Sequence, residues 1–137
     1  MFSISAKGAY GLYALMELGV RGVGTSVQIK DIAESQGIPQ HYLEQLLVTL
    51  RKAGLVKSFR GTNGGYTLAK EPAAITVAHI FTALEGPVEI LREQVPKGGL
   101  EFYWTDLETQ IRALLDQNLE SLIMELEKNK NVFIYNI

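Results

Sequence analysis

Four leucines, Leu43, Leu46, Leu47 and Leu50, stand at the i, i+3, i+4, i+7 spacing that gives a helix one apolar face. On the opposite side, at the same spacing, stand His41, Glu44, Gln45, Val48 and, one turn further on, Lys52. A helix so divided packs by one face and presents short or medium hydrogen-bonding side chains on the other, as a helix reading base edges must. What flanks it narrows the fold further. Val27–Gln36 is a second amphipathic pattern, with Ile29, Ile32 and Ala33 inward. Gly37 suits the left-handed residue that ends it, and Pro39 suits the first position of the next helix. Gly37-Ile38-Pro39 therefore reads as the tight turn of a helix-turn-helix, with the leucine helix running from about Pro39 to Ala53. Leu55–Arg60 and Tyr66–Leu68 then read as two strands around Gly61-Thr62-Asn63-Gly64-Gly65, where Asn63-Gly64 is a hairpin signal because both residues tolerate positive φ. This is the pattern of a winged helix-turn-helix, and the expected fold class is mainly α with a small β-hairpin.

The remainder has to hold and pair this unit. Ser3–Val20 predicts a first helix opened by capping serines. Thr76–Leu84 predicts a fourth, ended by Gly86-Pro87, and Val88–Leu100 predicts an irregular loop. Phe102–Lys128 carries a leucine and isoleucine stripe that predicts one long helix ending at Asn129–Asn131, followed by an apolar tail, Val132–Ile137. A helix of about 25 residues spans ~38 Å, more than so small a unit can cover. Pairing with the same helix of a second chain solves that problem; folding back over the first helix is the alternative. The expected division is 1–70 for the DNA-binding unit, 71–103 for a connecting helix and loop, and 104–137 for the dimerisation helix and tail.

Charge and composition agree with this reading. The net charge of −2 conceals eight Lys/Arg against four Asp/Glu in residues 1–70, and five against eleven in residues 71–137. A basic half beside an acidic half suits an anionic partner met only by the first. Chance variation in surface charge is the plain alternative. The chain has no cysteine, so disulfides, thiolate nucleophiles, zinc fingers and cysteine-ligated clusters are excluded. The apolar run Ala9–Val20 is broken by Glu17 and is far shorter than a membrane span, so a core helix of a cytoplasmic protein is expected. No Ser/His/Asp pattern, catalytic carboxylate pair or phosphate loop is present, which speaks against an enzyme.

Several ordered motifs resemble those of the Rrf-two family of bacterial transcription regulators. They are Ser5-Ala6-Lys7-Gly8-Ala9-Tyr10, His41-Tyr42-Leu43-Glu44-Gln45-Leu46, Leu50-Arg51-Lys52-Ala53-Gly54-Leu55, Arg60-Gly61 with Gly64-Gly65-Tyr66, and Leu84-Glu85-Gly86-Pro87. The resemblance implies a homodimeric winged-helix DNA binder whose long helices cross at the dimer interface. It places His41, Glu44 and Gln45 in the major groove and Arg60, on the wing, in the minor groove. Gln can pair with adenine edges and Glu with cytosine N4, and an arginine suits a narrow minor groove. The whole expected DNA-contact set is Gln40, His41, Glu44, Gln45, Lys52, Lys57, Arg60 and Asn63. A solvated helix residue is the alternative for Glu44, and an ordinary surface charge for Arg60.

Cluster-binding members of that family carry three cysteines in the loop before the long helix, where Val88–Tyr103 has none, and Glu101 stands where such a relative can carry a histidine. No cofactor is therefore expected. The two histidines, His41 and His79, fall on different elements; His79 is expected to be a partly exposed helix residue. The cysteine-free loop, His41–Leu46 and the Leu-Glu-Gly-Pro turn look closest to the CymR-like branch, which the resemblance ties to repression of cysteine metabolism through a complex with cysteine synthase. That enzyme's active site accepts a peptide ending in isoleucine, so Tyr135, Asn136 and Ile137 are the expected contact, by terminal capture. Packing of Phe133 and Ile134 into a dimer core is the alternative for the tail. For the chain as a whole, the alternative function is a winged-helix interaction module that no longer binds DNA.

Overall fold

The computed structural model describes residues 3–91 and 93–135, with side chains described up to Asn131. Helix α1 spans Ala6–Arg21, α2 Ile29–Gln36 and α3 Gln40–Lys52; strands β1 (Val56–Phe59) and β2 (Gly65–Leu68) follow. A 3-10 turn at Pro72–Ala74 leads into α4 (Val77–Glu85), and another at Gly98–Leu100 leads into α5 (Glu101–Leu115) and then α6 (Leu119–Tyr135). The strands pair antiparallel, Val56 opposite Leu68 and Phe59 opposite Gly65. The mainly helical winged helix-turn-helix expected from the sequence is the observed architecture.

One apolar cluster joins the elements. Leu15 and Leu18 of α1, Ile32 of α2, all four leucines of the α3 stripe, Leu68 of the wing, Ile80 of α4 and Leu119 of α6 are buried in it. Burial of each such side chain contributes roughly 1.5–3 kcal/mol. In the turn between α2 and α3, Gly37 is left-handed at φ 66° as expected and Ile38 is buried, but Pro39 is the N-cap, one residue short of the first helical position that the sequence suggested for it, which Gln40 takes. Helix α2 begins two residues later than expected, because Val27 is drawn into the wing's sheet, exchanging backbone hydrogen bonds of 2.8 Å each way with Tyr66.

The packing of α1 on α4 explains two sequence motifs at once. Ser5 caps α1, its hydroxyl accepting from the Gly8 N–H. The Glu85 carboxylate lies across this helix start, accepting from the Ser5 N–H at 2.9 Å and from the Ser5 hydroxyl. An anion there complements the positive end of the helix dipole. Gly8 leaves room for it, since a Cβ at that position would lie 3.0 Å from the Glu85 carboxyl carbon. Gly11 does the same for Leu84, whose Cδ1 occupies the space a methyl would need. At the other end of α4, Thr76 and His79 form a capping box: His79 Nδ1 accepts from the Thr76 N–H, and the Thr76 hydroxyl accepts from the His79 N–H, both at 3.1 Å.

The single long helix expected over Phe102–Lys128 is not observed. It is two helices, interrupted at Asp116-Gln117-Asn118. The cause is tertiary. The Val77 N–H donates to the Gln117 carbonyl at 3.0 Å and the Leu119 N–H to the Ile75 carbonyl at 2.9 Å, so Thr76 and Asn118 form an antiparallel bridge. Asn118 then caps α6, its Oδ1 accepting from the Ser121 N–H at 2.8 Å. Beyond the break, α6 packs back along α1, where Ile123 Cδ1 lies against Gly19. Helix α6 also runs on through Asn129–Asn131, where the sequence reading ended it, to Tyr135. Helix α5, by contrast, buries no residue.

Gly11→Ala is expected to lower stability by about 1–3 kcal/mol, as overpacking does. Gly99→Ala, where a methyl would meet nothing within 4 Å, is expected to stay within roughly 0.5 kcal/mol of the parent. Urea unfolding midpoints compare the two.

Candidate nucleic-acid interface

The division of α3 is complete in the folded chain. Leu43, Leu46, Leu47 and Leu50 are buried, while Gln40, His41, Glu44, Gln45, Val48 and Lys52 are exposed. Tyr42 lies between, half-buried against the core with its ring edge-on to Tyr10 at 5.6 Å. The base-reading residues suggested by the sequence therefore share one free face, and the leucines opposite fix its direction. The Thr49 hydroxyl bonds back to the Gln45 carbonyl at 3.3 Å.

The wing is held beside this helix from two sides. Arg51, in the last turn of α3, reaches Ser58 Oγ of β1 at 3.4 Å, and the Ala69 N–H donates to the Leu55 carbonyl at 3.0 Å. On the other edge is the Val27–Tyr66 bridge. That bridge needs Gly65, because a Cβ there would collide with the Val27 carbonyl. The tip differs from the sequence reading. Positive φ occurs at Gly61 (97°) and Gly65 (152°), and not at Asn63 or Gly64. The Gly64 N–H donates to the Gly61 carbonyl at 2.9 Å, closing the turn one step earlier. Gly64 is needed for close approach instead: a Cβ would lie 2.6 Å from the Phe59 carbonyl oxygen.

Arg60 and Asn63 are exposed on this tip and Lys57 on β1. Gln40, at the start of α3, and Arg60 line one open cleft of about 510 Å3 between the starts of α2 and α3 and the wing. Gln28 and Lys30 line it as well. Neither was singled out from the sequence. The available signal was their place at the N-cap and in the first turn of the helix that a helix-turn-helix lays across the backbone. Lys52 and Lys57 do not line that cleft. Asn136 and Ile137 lie outside the described residues, as does the side chain of Tyr135.

The Rrf2 family model, described as an iron-dependent transcriptional regulator, matches residues 4–125. The chain belongs to the Rrf2 family. It is 38% identical to the HTH-type transcriptional regulator CymR of Bacillus subtilis (strain 168), over 98% of this chain and 99% of that one. It is 35% identical to the HTH-type transcriptional regulator IscR of Yersinia pestis, over 94% of this chain and 81% of that one. The structure of CymR (YrzC), the global cysteine regulator of B. subtilis, matches with a TM-score of 0.79 at 42% identity, covering 91% of this chain and 98% of that one. T. potens IscR matches with a TM-score of 0.78 at 38% identity, covering 93% and 90%. The chain is thus an HTH-type transcriptional regulator and not an enzyme. The iron in the family's description does not fit the donors present. Among the described residues no three His, Cys, Asp or Glu stand together as metal ligands, and the chain has no thiolate to offer a cluster.

Gly65→Ala is expected to release the wing from Val27 and to cost more than about 1 kcal/mol. Amide exchange at Val27 and Tyr66 should quicken relative to that in the α3 core turns, which hydrogen-exchange mass spectrometry or NMR reads directly.

Proposed function

We propose that this regulator binds a pseudo-palindromic operator as a homodimer, with the exposed face of α3 in the major groove and the wing in the adjacent minor groove. The observation that carries this reading is the partition of α3, whose four leucines are buried while Gln40, His41, Glu44, Gln45 and Lys52 all face solvent. In the major groove Gln45 and Gln40 suit adenine edges, and Glu44 accepts from cytosine N4 or repels other bases. Arg60 enters the minor groove from the hairpin tip, and Lys52, Lys57 and Asn63 hold phosphates. Lys30, which shares the cleft with Arg60, joins them.

The dimer reading rests on α5. Tyr103, Leu107, Ile111 and Leu114 recur at helical spacing on a helix with no fully buried residue; Leu107 and Ile111 are half-buried, while Tyr103 is 50% and Leu114 76% exposed. A helix of 15 residues is ~22 Å long, and crossing it with its copy would cover this face. In this reading residues 1–70 meet DNA, 71–103 connect, and 104–137 pair. Repression, control of cysteine metabolism and independence of an iron–sulfur cluster complete the proposal. The similarity to a protein described as a global cysteine regulator supports the second, and the absence of cysteine supports the third. Partnership with cysteine synthase, through Tyr135, Asn136 and Ile137, is part of the same proposal and follows from the family resemblance.

Selection of bound DNA from a random pool tests the reading. A pseudo-palindrome with half-sites ~34 Å apart is the expected result; unselected sequence at low salt would favour an interaction module instead. On the selected site, Arg60→Ala is expected to weaken binding by roughly 1–3 kcal/mol, and Lys57→Ala to lower the salt slope by about one. Leu114→Glu is expected to shift the protein from dimer to monomer in light scattering.

A further inference from the structure

Val48 interrupts the polar side of α3. It is 37% exposed, and no other large apolar side chain of that helix is exposed. It takes no part in the apolar core, which α3 meets through its four leucines and Tyr42. Around it stand polar residues that face solvent, Glu44 and Gln45 one turn back and Lys52 one turn on. The helix itself gains nothing from it. A β-branched side chain loses rotamer freedom in a helix, and alanine, lysine or glutamine would hold an exposed helical position better. A single valine on a surface is ordinary; the register of this one is not. His41, Glu44, Gln45 and Val48 stand at i, i+3, i+4, i+7, on one exposed face. A helix laid in the major groove meets successive base pairs through that spacing.

The base edges in that groove offer donors, acceptors and one apolar group, the thymine 5-methyl. Valine can neither donate nor accept. Against a polar edge it would displace water and return no hydrogen bond, which is unfavourable. Against a methyl group it removes apolar surface from water on both sides. We propose that Val48 reads the 5-methyl group of a thymine in each half-site. The inference rests on the DNA-binding reading given above and adds a base identity to it. At 1.5 Å per residue, Val48 lies ~4.5 Å along α3 from Gln45, so the thymine falls one or two base-pair steps of ~3.4 Å from the pair that Gln45 meets. Cytosine in its place would present an amino group and no methyl.

The test uses the operator selected from the random pool and the full chain. Each thymine of the two half-sites is replaced in turn by deoxyuridine, which lacks only the 5-methyl group, and affinity is read by fluorescence anisotropy. One thymine per half-site is expected to respond, with a loss of about fourfold, the worth of one buried methyl group. It is expected one or two base pairs from the position whose preference Gln45→Ala relaxes. Val48→Ser is expected to bind the thymine and deoxyuridine sites equally, with its urea midpoint close to that of the parent. A selected site at which no thymine methyl matters, or a Val48→Ser variant as sensitive to deoxyuridine as the parent, would overturn this inference alone. Failure to select any site would overturn the DNA-binding reading and this inference together.

Discussion

The leucine face of α3 is the contact on which the remainder depends. Leu43, Leu46, Leu47 and Leu50 lie in one buried cluster with Leu15 and Leu18 of α1. That burial sets the rotation of α3 about its own axis. A rotation of one residue, about 100°, would carry Leu47 out and Gln45 in, at the cost of an unpaired buried amide. The exposed face is thus defined by what lies behind it. Its polar side chains contribute little to holding it there, which leaves them free to be chosen for recognition.

Close backbone approach decides how the supports fit around that core. Gly8 and Gly11 let α4 lie on α1, with the Glu85 carboxylate over the positive end of α1 and Leu84 in the space beside Gly11. Gly65 lets the wing pair with Val27. Each of these glycines costs helix or strand propensity locally. Each is repaid by a contact that lies far away in the chain, 80 residues in the case of Ser5 and Glu85. Such a residue looks like a local weakness until its distant partner is known.

The two exposed features have different physical characters. The face of α3 is polar and suits a hydrated, charged partner, whereas α5 leaves the large apolar side chains of Phe102 and Leu114 in water. A chain of this size that exposes such a helix needs a second surface to cover it. The polar face of α3 and the exposed side chains of α5 are therefore chemically separate parts of the fold.

Local pattern was enough for α1 to α4, the Gly37 turn, the wing and the exposure of every proposed contact on α3, because period, caps and turn residues act within a few positions of one another. The resemblance of ordered motifs carried the family. The break at Asp116-Gln117-Asn118 was not legible, since the leucine stripe continues in register from Leu115 to Leu119, Leu122 and Leu126. What ends α5 is the backbone of Ile75–Val77, some forty residues earlier, taking hydrogen bonds that a continuous helix would have used. The same holds for the positive φ at Gly61 and Gly65 in place of Asn63-Gly64, and for Lys30 beside Arg60. The sequence alone determined which faces are apolar and which residues of α3 are left facing solvent. Only the tertiary structure decided where the chain folds back, because that depends on which distant backbone groups come within hydrogen-bond reach.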